Sequence, residues 1–192
     1  RILLTAFEPY DRWKENSSWL ALVDLTSWYE GDLEFTTRRY PVDLAKMREM
    51  LEHDLTLGFD LAIHLGQSPG SAVVKLESVG LNLRTNGEPL LANAPAAYRS
   101  TLDLNRCKER LTDAGIPSQL SHHAGTYLCN AALFLSQHYT EMMGGRTQSL
   151  FMHLPLSPAQ VAKDESTLAS MSTPMQSAAV ALVAAELADA NS

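Results

Sequence analysis

Short β-like runs that alternate with longer stretches of helical period predict an α/β protein built on a mostly parallel sheet. A chain of 192 residues, 45% hydrophobic and 19% charged, is long enough to bury about 70% of its unfolded-chain surface. No repeat, linker or shift in composition interrupts residues 1–192, which are therefore read as one domain. Arg1–Thr5 is an apolar opening run, expected as a buried strand. Ser17 or Ser18 can then cap a helix whose apolar positions Trp19, Leu22, Val23 and Leu25 follow near-helical spacing. Glu34–Tyr40 alternates as a strand does. Asp43 can cap a helix reaching about His53, with Leu44, Met47 and Leu51 inward, before a turn at Gly58 and a strand over Leu61–Leu65. Ala72–Leu83 again has β character, whereas 84–97, with two prolines and Gly87, is expected to be a loop. A helix over Leu104–Ala114 stops at Gly115. A strand over Gln119–Ser121 leads through Gly125 into a helix over Leu128–Met142, which stops at Gly144-Gly145; a strand over Ser149–Leu154 and an Ala-rich helix from Pro174 complete the order.

Charge and hydropathy exclude several function classes. Fifteen basic against 22 acidic residues give a formal charge of −7, which repels a phosphate backbone, and no basic patch overrules it, so no nucleic-acid partner is expected. The longest apolar run lies within Ala178–Ala185, far short of the roughly 20 residues that cross a bilayer. The opening Arg1-Ile2-Leu3-Leu4 meets polar sequence too early for a signal peptide. A cytoplasmic protein with no membrane partner is expected, and Cys107 and Cys129 are expected as reduced thiols.

Chemistry belongs where strands end, because loops on a rigid sheet can aim side chains into a shared crevice. Cys129, in Ala124-Gly125-Thr126-Tyr127-Leu128-Cys129-Asn130, falls in the first turn of a predicted helix, where unpaired backbone amides favour thiolate over thiol and can stabilise an oxyanion. His153 ends an apolar strand before Pro155 and is placed as a general base. Glu77 lies in a strand-like run and can orient an imidazole. Each has a plain structural alternative: a packed cysteine, a satisfied boundary histidine, and an outward strand position shared with Lys75.

Together these segments resemble the type I pyroglutamyl peptidases, or pyrrolidone carboxyl peptidases, a family of cysteine exopeptidases. The resemblance spans Ile2-Leu3-Leu4-Thr5-Ala6-Phe7-Glu8-Pro9-Tyr10, Leu65-Gly66-Gln67, Glu77 followed by Asn82, the Cys129 segment, and Phe151-Met152-His153-Leu154-Pro155. It implies an open α/β/α sandwich with a twisted sheet, and removal of N-terminal pyroglutamate from peptides without metal or organic cofactor. The implied catalytic residues are Glu77, Cys129 and His153. The implied substrate-binding residues are Phe7, Tyr10, Gln67, Tyr127 and Leu128, which suit a small lactam with apolar faces, an amide edge and no free amine. Members of the family often form tetramers, so self-association belongs to the expectation.

This sequence departs from the family pattern of Gly-Phe-Glu/Asp-Pro-Phe-Gly-Gly at Ala6, Tyr10 and Asp11-Arg12. These changes are expected to narrow or re-dress the substrate slot, with Asp11 and Arg12 pairing or facing solvent. The family also carries an arginine a few residues after the asparagine; here Arg84 is the nearest candidate for that auxiliary role. Two rivals stand beside the peptidase: a catalytically silent relative acting as a binding protein, and a serine hydrolase using Ser68, since Gly66-Gln67-Ser68-Pro69-Gly70 fits a nucleophile elbow. Zinc hydrolysis is weaker, for no two histidines stand four apart on a predicted helix and His122-His123 point to opposite faces of a strand. Cys107 is expected to pack on an inner helix face and His64 to be a hydrogen-bonded core histidine.

Overall fold

The computed structural model describes residues 1–190. Along them run β1 (Ile2–Phe7), α1 (Ser17–Trp28), β2 (Phe35–Tyr40), α2 (Leu44–Leu55), β3 (Leu61–Gln67), β4 (Val74–Glu77), β5 (Val79–Leu81), β6 (Ala97–Arg99), α3 (Leu104–Asp113), β7 (Ser118–Ser121), α4 (Leu128–Met142), β8 (Gln148–Leu154), α5 (Pro158–Asp164) and α6 (Thr173–Asp189). Six strands form one sheet in the order β2-β1-β3-β8-β4-β7, and β5 pairs with β6 outside it. Strands β2, β1, β3 and β8 are mutually parallel; β4 is antiparallel to β8 and parallel to β7.

The central strands β1, β3 and β8 read as near-continuous apolar runs because helices cover both of their faces. Ile2, Leu4, Ile63, Leu65, Leu150 and Met152 pack with α1, α3 and α6 on one side. Leu3, Phe7, Ala62 and Phe151 pack with α2 and α4 on the other. The result is the mostly parallel α/β architecture that the pattern predicted, in the α/β/α sandwich that the resemblance implied. No helix among the described residues is long and apolar enough to cross a membrane.

Several local expectations change. Asn16, not Ser17 or Ser18, caps α1, accepting from Ser18 N–H at 3.1 Å. Val23 is 46% exposed, because Ser18, Ala21, Leu22 and Leu25 form the buried stripe of α1. The Ala72–Leu83 stretch is two strands: it leaves the main sheet at Ser78, whose N–H donates to the Ser121 carbonyl while its own carbonyl accepts from Ser100 N–H. The loop over 84–97 gives way at Ala97 to β6, which pairs with β5. Helix α5 is an addition, announced by Ser157-Pro158 and Gln160: Ser157 and Gln160 form a capping box with proline in the first turn.

The β5–β6 hairpin is held on α4 by two residues. A Cβ on Gly80 would lie 2.8 Å from backbone atoms of Phe134, so only glycine allows this approach. Asn130, fully buried, accepts from Leu81 N–H at 2.8 Å and donates to the carbonyls of Leu81 and Leu83 at 2.9 and 3.1 Å. It therefore ties the neighbouring loop to α4 and does not cap the helix. Replacing it would leave up to three backbone groups short of a partner, each costing about 1–3 kcal/mol. Asn130→Ala should lower stability by about 2–4 kcal/mol, seen as a lower urea midpoint at unchanged m-value. Amides of β5 and β6 should then exchange well before those of β1, β3 and β8.

Candidate active site

Parallel strands carry their loops out at one edge, and the candidate side chains meet there. Phe7 and Gln67 end β1 and β3, and His153 lies one residue from the end of β8. The antiparallel register sets Lys75 opposite His153 and Glu77 opposite Phe151. Since alternate residues share a face, Glu77 becomes the diagonal neighbour of His153. The two side chains meet with His153 Nδ1 2.7 Å from Glu77 Oε1, in surroundings where Glu77 is 1% and His153 9% exposed. An ionised carboxylate can only accept, so Nδ1 carries the proton and Nε2 remains for the third group, Cys129, whose sulfur acts electrostatically on the ring.

Cys129 is the second residue of α4. Asn16, Asp43 and Asp103 cap α1, α2 and α3 with their side chains, whereas Tyr127 begins α4 without a side-chain cap. Ala131 N–H, bonded to the Tyr127 carbonyl at 3.0 Å, is the first amide to find its intrahelical acceptor. The amides before it leave a positive helix end around the sulfur. Gly66 lets the sulfur approach the sheet: a Cβ there would lie 2.6 Å from Phe151 Cζ and 3.0 Å from Cys129 Sγ.

These neighbours shift the protonation equilibria. Burial alone would lower the His153 pKa, but the charge of Cys129, then the hydrogen bond and charge of Glu77, raise it to about 9. Burial works in the opposite sense on Glu77; the hydrogen bond from His153, the neighbouring Ser121 and the charges of His153 and Lys75 nevertheless hold its carboxyl below the usual range. An imidazolium with an ionised carboxylate behind it is the charge state this geometry favours.

Beside the sulfur opens a cavity of about 150 Å³ lined by Phe7, Tyr10, Gln67, Tyr127, Leu128 and Cys129. All five expected binding residues are thus gathered around the candidate nucleophile. Asn16, Val42 and Gly66 also line the cavity. Of these, Gly66 stood in the Leu65-Gly66-Gln67 block of the resemblance, Asn16 carried a signal as a polar residue at a helix start, and Val42 carried none. The space is well below the roughly 300–1,000 Å³ of a drug-sized pocket and is scaled for one small ring. A larger groove, of about 650 Å³, runs along α2 between Arg48, Glu52 and Arg84, and none of the three candidate catalytic residues lines it.

Most of the other residues named from the sequence lie outside this cavity. Arg84 lines the α2 groove and is not among the residues around the sulfur, because its segment turns back on itself through Arg84 N–H to the Glu88 carbonyl and Gly87 N–H to the Arg84 carbonyl. Ser68 follows β3 into a turn that leads on to β4, with no helix behind it, so the strand-to-helix elbow of a serine hydrolase is not formed. Asp11 and Arg12 do not pair with each other. Asp11 takes a left-handed φ of 54°, a conformation that glycine adopts without strain, while Arg12 pairs with Asp164 at 3.1 Å and stacks over Trp13 at 4.9 Å. Tyr10 is therefore the one departure from the family pattern whose side chain lines the cavity. Cys107 is buried beneath α6, and burial followed by nearby acidic charge pushes its thiol up to about 12. His64 is a buried core residue bonded to Thr5 Oγ1 at 2.8 Å, and burial lowers its pKa to about 3. Among the described residues no three His, Cys, Asp or Glu side chains converge as a metal site.

The charge arrangement sets a pH dependence. As pH rises through about 9, His153 loses the proton that a departing amine would need, so kcat/KM should fall along an alkaline limb near that value. Glu77→Gln removes both the negative charge and the ionic hydrogen bond that help raise His153. The alkaline limb should then move to lower pH, a displacement measured by kcat/KM profiles of the two proteins.

Comparison with known proteins follows the same line. The sequence model of the pyroglutamyl peptidase family matches residues 1–190. The pyrrolidone-carboxylate peptidase of Pyrococcus furiosus is 34% identical over 173 residues, covering 84% of this chain and 83% of its own. That of Clavibacter michiganensis subsp. michiganensis is 32% identical over 201 residues, covering 98% and 93%. The X-ray structure of the P. furiosus pyrrolidone carboxyl peptidase superposes with a TM-score of 0.91 at 31% identity, covering 98% of each chain. By sequence and by fold, this chain belongs to the pyroglutamyl peptidases, cysteine peptidases that remove N-terminal pyroglutamate.

Proposed function

We propose that the chain hydrolyses the bond after an N-terminal pyroglutamyl residue through Cys129, His153 and Glu77. The observation that carries this mechanism is the contact of His153 Nδ1 with Glu77 Oε1 at 2.7 Å, which turns the other face of the imidazole to a sulfur at a helix start and beside a ring-sized cavity. The lactam ring enters between the side chains of Phe7 and Tyr10 and is oriented by Gln67, with Tyr127 and Leu128 beside the sulfur. Tyr127, 53% exposed, stands at the solvent side of this pocket. No acidic side chain lines the cavity to hold a free amine, which suits a substrate that has none.

The sulfur of Cys129 adds to the carbonyl carbon joining pyroglutamate to the next residue, and the oxygen that becomes negative is met by first-turn amides of α4. The C–N bond then breaks as His153 donates its proton to the leaving amine. Water attacks the resulting thioester, His153 accepts a proton from it, and pyroglutamate departs as the thiolate reforms. Glu77 keeps Nδ1 protonated and the ring in register throughout. Both cysteines are free, and a mechanism that requires a thiolate suits a reducing, cytoplasmic compartment.

Cys129→Ser should lower hydrolysis of a pyroglutamyl amide by about 10⁴-fold or more, whereas Cys107→Ala, on the other side of the sheet, should retain kcat and lose only stability. Iodoacetamide should abolish turnover and a serine-directed phosphonate should not. A folded protein with no turnover on any pyroglutamyl amide would favour the silent relative; inactivation by the phosphonate alone would restore Ser68.

A further inference from the structure

Behind the cavity runs a chain of hydrogen bonds whose direction is fixed at both ends by backbone donors. Ser17 N–H donates to Gln67 Oε1 at 2.8 Å, and Ser157 N–H donates to Gln160 Oε1 at 2.9 Å. A backbone N–H can only donate, so each of these contacts identifies an amide oxygen. Between them, Gln160 Nε2 donates to Gln67 Oε1 at 2.7 Å and to the Glu15 carbonyl at 3.0 Å. The oxygen of Gln67 thus accepts two hydrogen bonds, one for each lone pair, and faces away from any ligand. What remains is its NH₂ group.

Gln67 is 4% exposed and lines the cavity beside Phe7, Tyr10 and Cys129. Its Nε2 has no partner at full hydrogen-bond geometry among the described residues; the Tyr10 hydroxyl is the polar group it faces. Gln160, also 4% exposed, does not line this cavity and reaches it only through Gln67. A buried donor whose orientation is already fixed favours a ligand that brings an acceptor, and penalises one that leaves the donor unpaired.

We infer that Gln160 is a positioning residue for substrate recognition: by holding the Gln67 amide oxygen it commits the cavity to a ring that carries a carbonyl, a γ-lactam, in preference to the corresponding cyclic amine. This rests on the peptidase mechanism proposed above, and it adds to that mechanism a residue outside the pocket and a fixed hydrogen-bond polarity inside it. Gln160→Ala removes the donor that holds Gln67. Gln160→Glu keeps an acceptor for Ser157 N–H but sets a carboxylate oxygen against Gln67 Oε1. The Gln67 amide must then turn over, which removes the acceptor from Ser17 N–H and points an oxygen at the ligand's carbonyl.

The test uses the full chain, with three readouts: kcat and KM for a pyroglutamyl amide, the inhibition constant of 2-pyrrolidinone as the bare ring, and Tm. Gln160→Ala should raise KM and the inhibition constant about tenfold with kcat within about threefold of the parent, and Gln160→Glu should raise both at least as far. Ser157→Ala loosens the start of the same helix but leaves the Gln160–Gln67 bond, so it should lower Tm without moving either constant. The inference is overturned if Gln160→Ala leaves both constants unmoved, if Gln160→Glu binds the lactam like the parent, or if Ser157→Ala raises them as far as Gln160→Ala does. A parent protein that neither turns over the amide nor binds the lactam refutes the peptidase mechanism itself; an active parent with unmoved variants refutes only the role of Gln160.

Discussion

The hydrogen bond from His153 to Glu77 crosses the one antiparallel boundary that β8 makes in the sheet, and the chemistry of the site depends on that crossing. A parallel neighbour would give different cross-strand partners to the residues of β8. The antiparallel register of β4 instead puts Glu77 opposite Phe151 and diagonal to His153. Because side chains alternate between faces, a one-residue slip of β4 would send Glu77 to the face covered by α3 and α6. The apolar residues Val74 and Leu76, buried on that second face, oppose such a slip. Core packing on one side of the sheet thereby fixes the catalytic spacing on the other.

The two faces of the sheet divide the labour. The side under α1, α3 and α6 is lined by aliphatic residues and holds an inert thiol, Cys107. The side under α2 and α4 admits polar groups in the strands: Thr5 bonded to His64, Ser149 bonded to Ser136, and Glu77 bonded to His153. Each of these six side chains has a partner across an element boundary, as a low-dielectric interior favours. His64 and His153 show how environment separates two histidines of one protein. The first meets only a hydroxyl and stays neutral; the second lies between a sulfur and a carboxylate and holds its proton.

Much of this was legible in the sequence, and the omissions have physical causes. Cys129 and His153 stood out because each closes or opens an element with a strong local pattern. Glu77 was a candidate with a stronger structural alternative: along its own strand it shares a face with Lys75 and alternates with Leu76 like any outward residue, and only the pairing of β4 with β8, about 75 positions later, turns it inward. Pairing partners are a property of the whole chain, so the antiparallel placement of β4 and β7 was not readable locally either. The break at Ser78 was missed because both halves have strand-like composition and the separating hydrogen bonds come from Ser100 and Ser121. Helix α5 was missed although its capping signature was present, because the seven residues that follow carry no sustained apolar period. Val23 was assigned inward on spacing alone, while buried serines occupied that side of α1.

The altered loop after β1 shows how a sequence departure can be loud and yet structurally narrow. Three of its four changes place no side chain around the sulfur. Ala6 is sealed in a central strand, Asp11 meets the left-handed backbone that a glycine would meet, and Arg12 swings out to Asp164 and Trp13. Asp is among the few residues that tolerate positive φ, at a cost of about 1–2 kcal/mol relative to glycine, so the turn survives without its glycine. The Arg12–Asp164 pair then ties that turn to α5, the helix that also carries Gln160. What reaches the ligand from all of this is a single phenol. Burial and the charge of Cys129 hold the Tyr10 hydroxyl protonated, with Gln67 beside it, so it stands as a donor or acceptor where a phenylalanine would offer only an edge. The slot is therefore re-dressed at one atom and otherwise keeps its aromatic wall, and the determinant of what it accepts shifts to how the Gln67 amide and that hydroxyl share one incoming carbonyl.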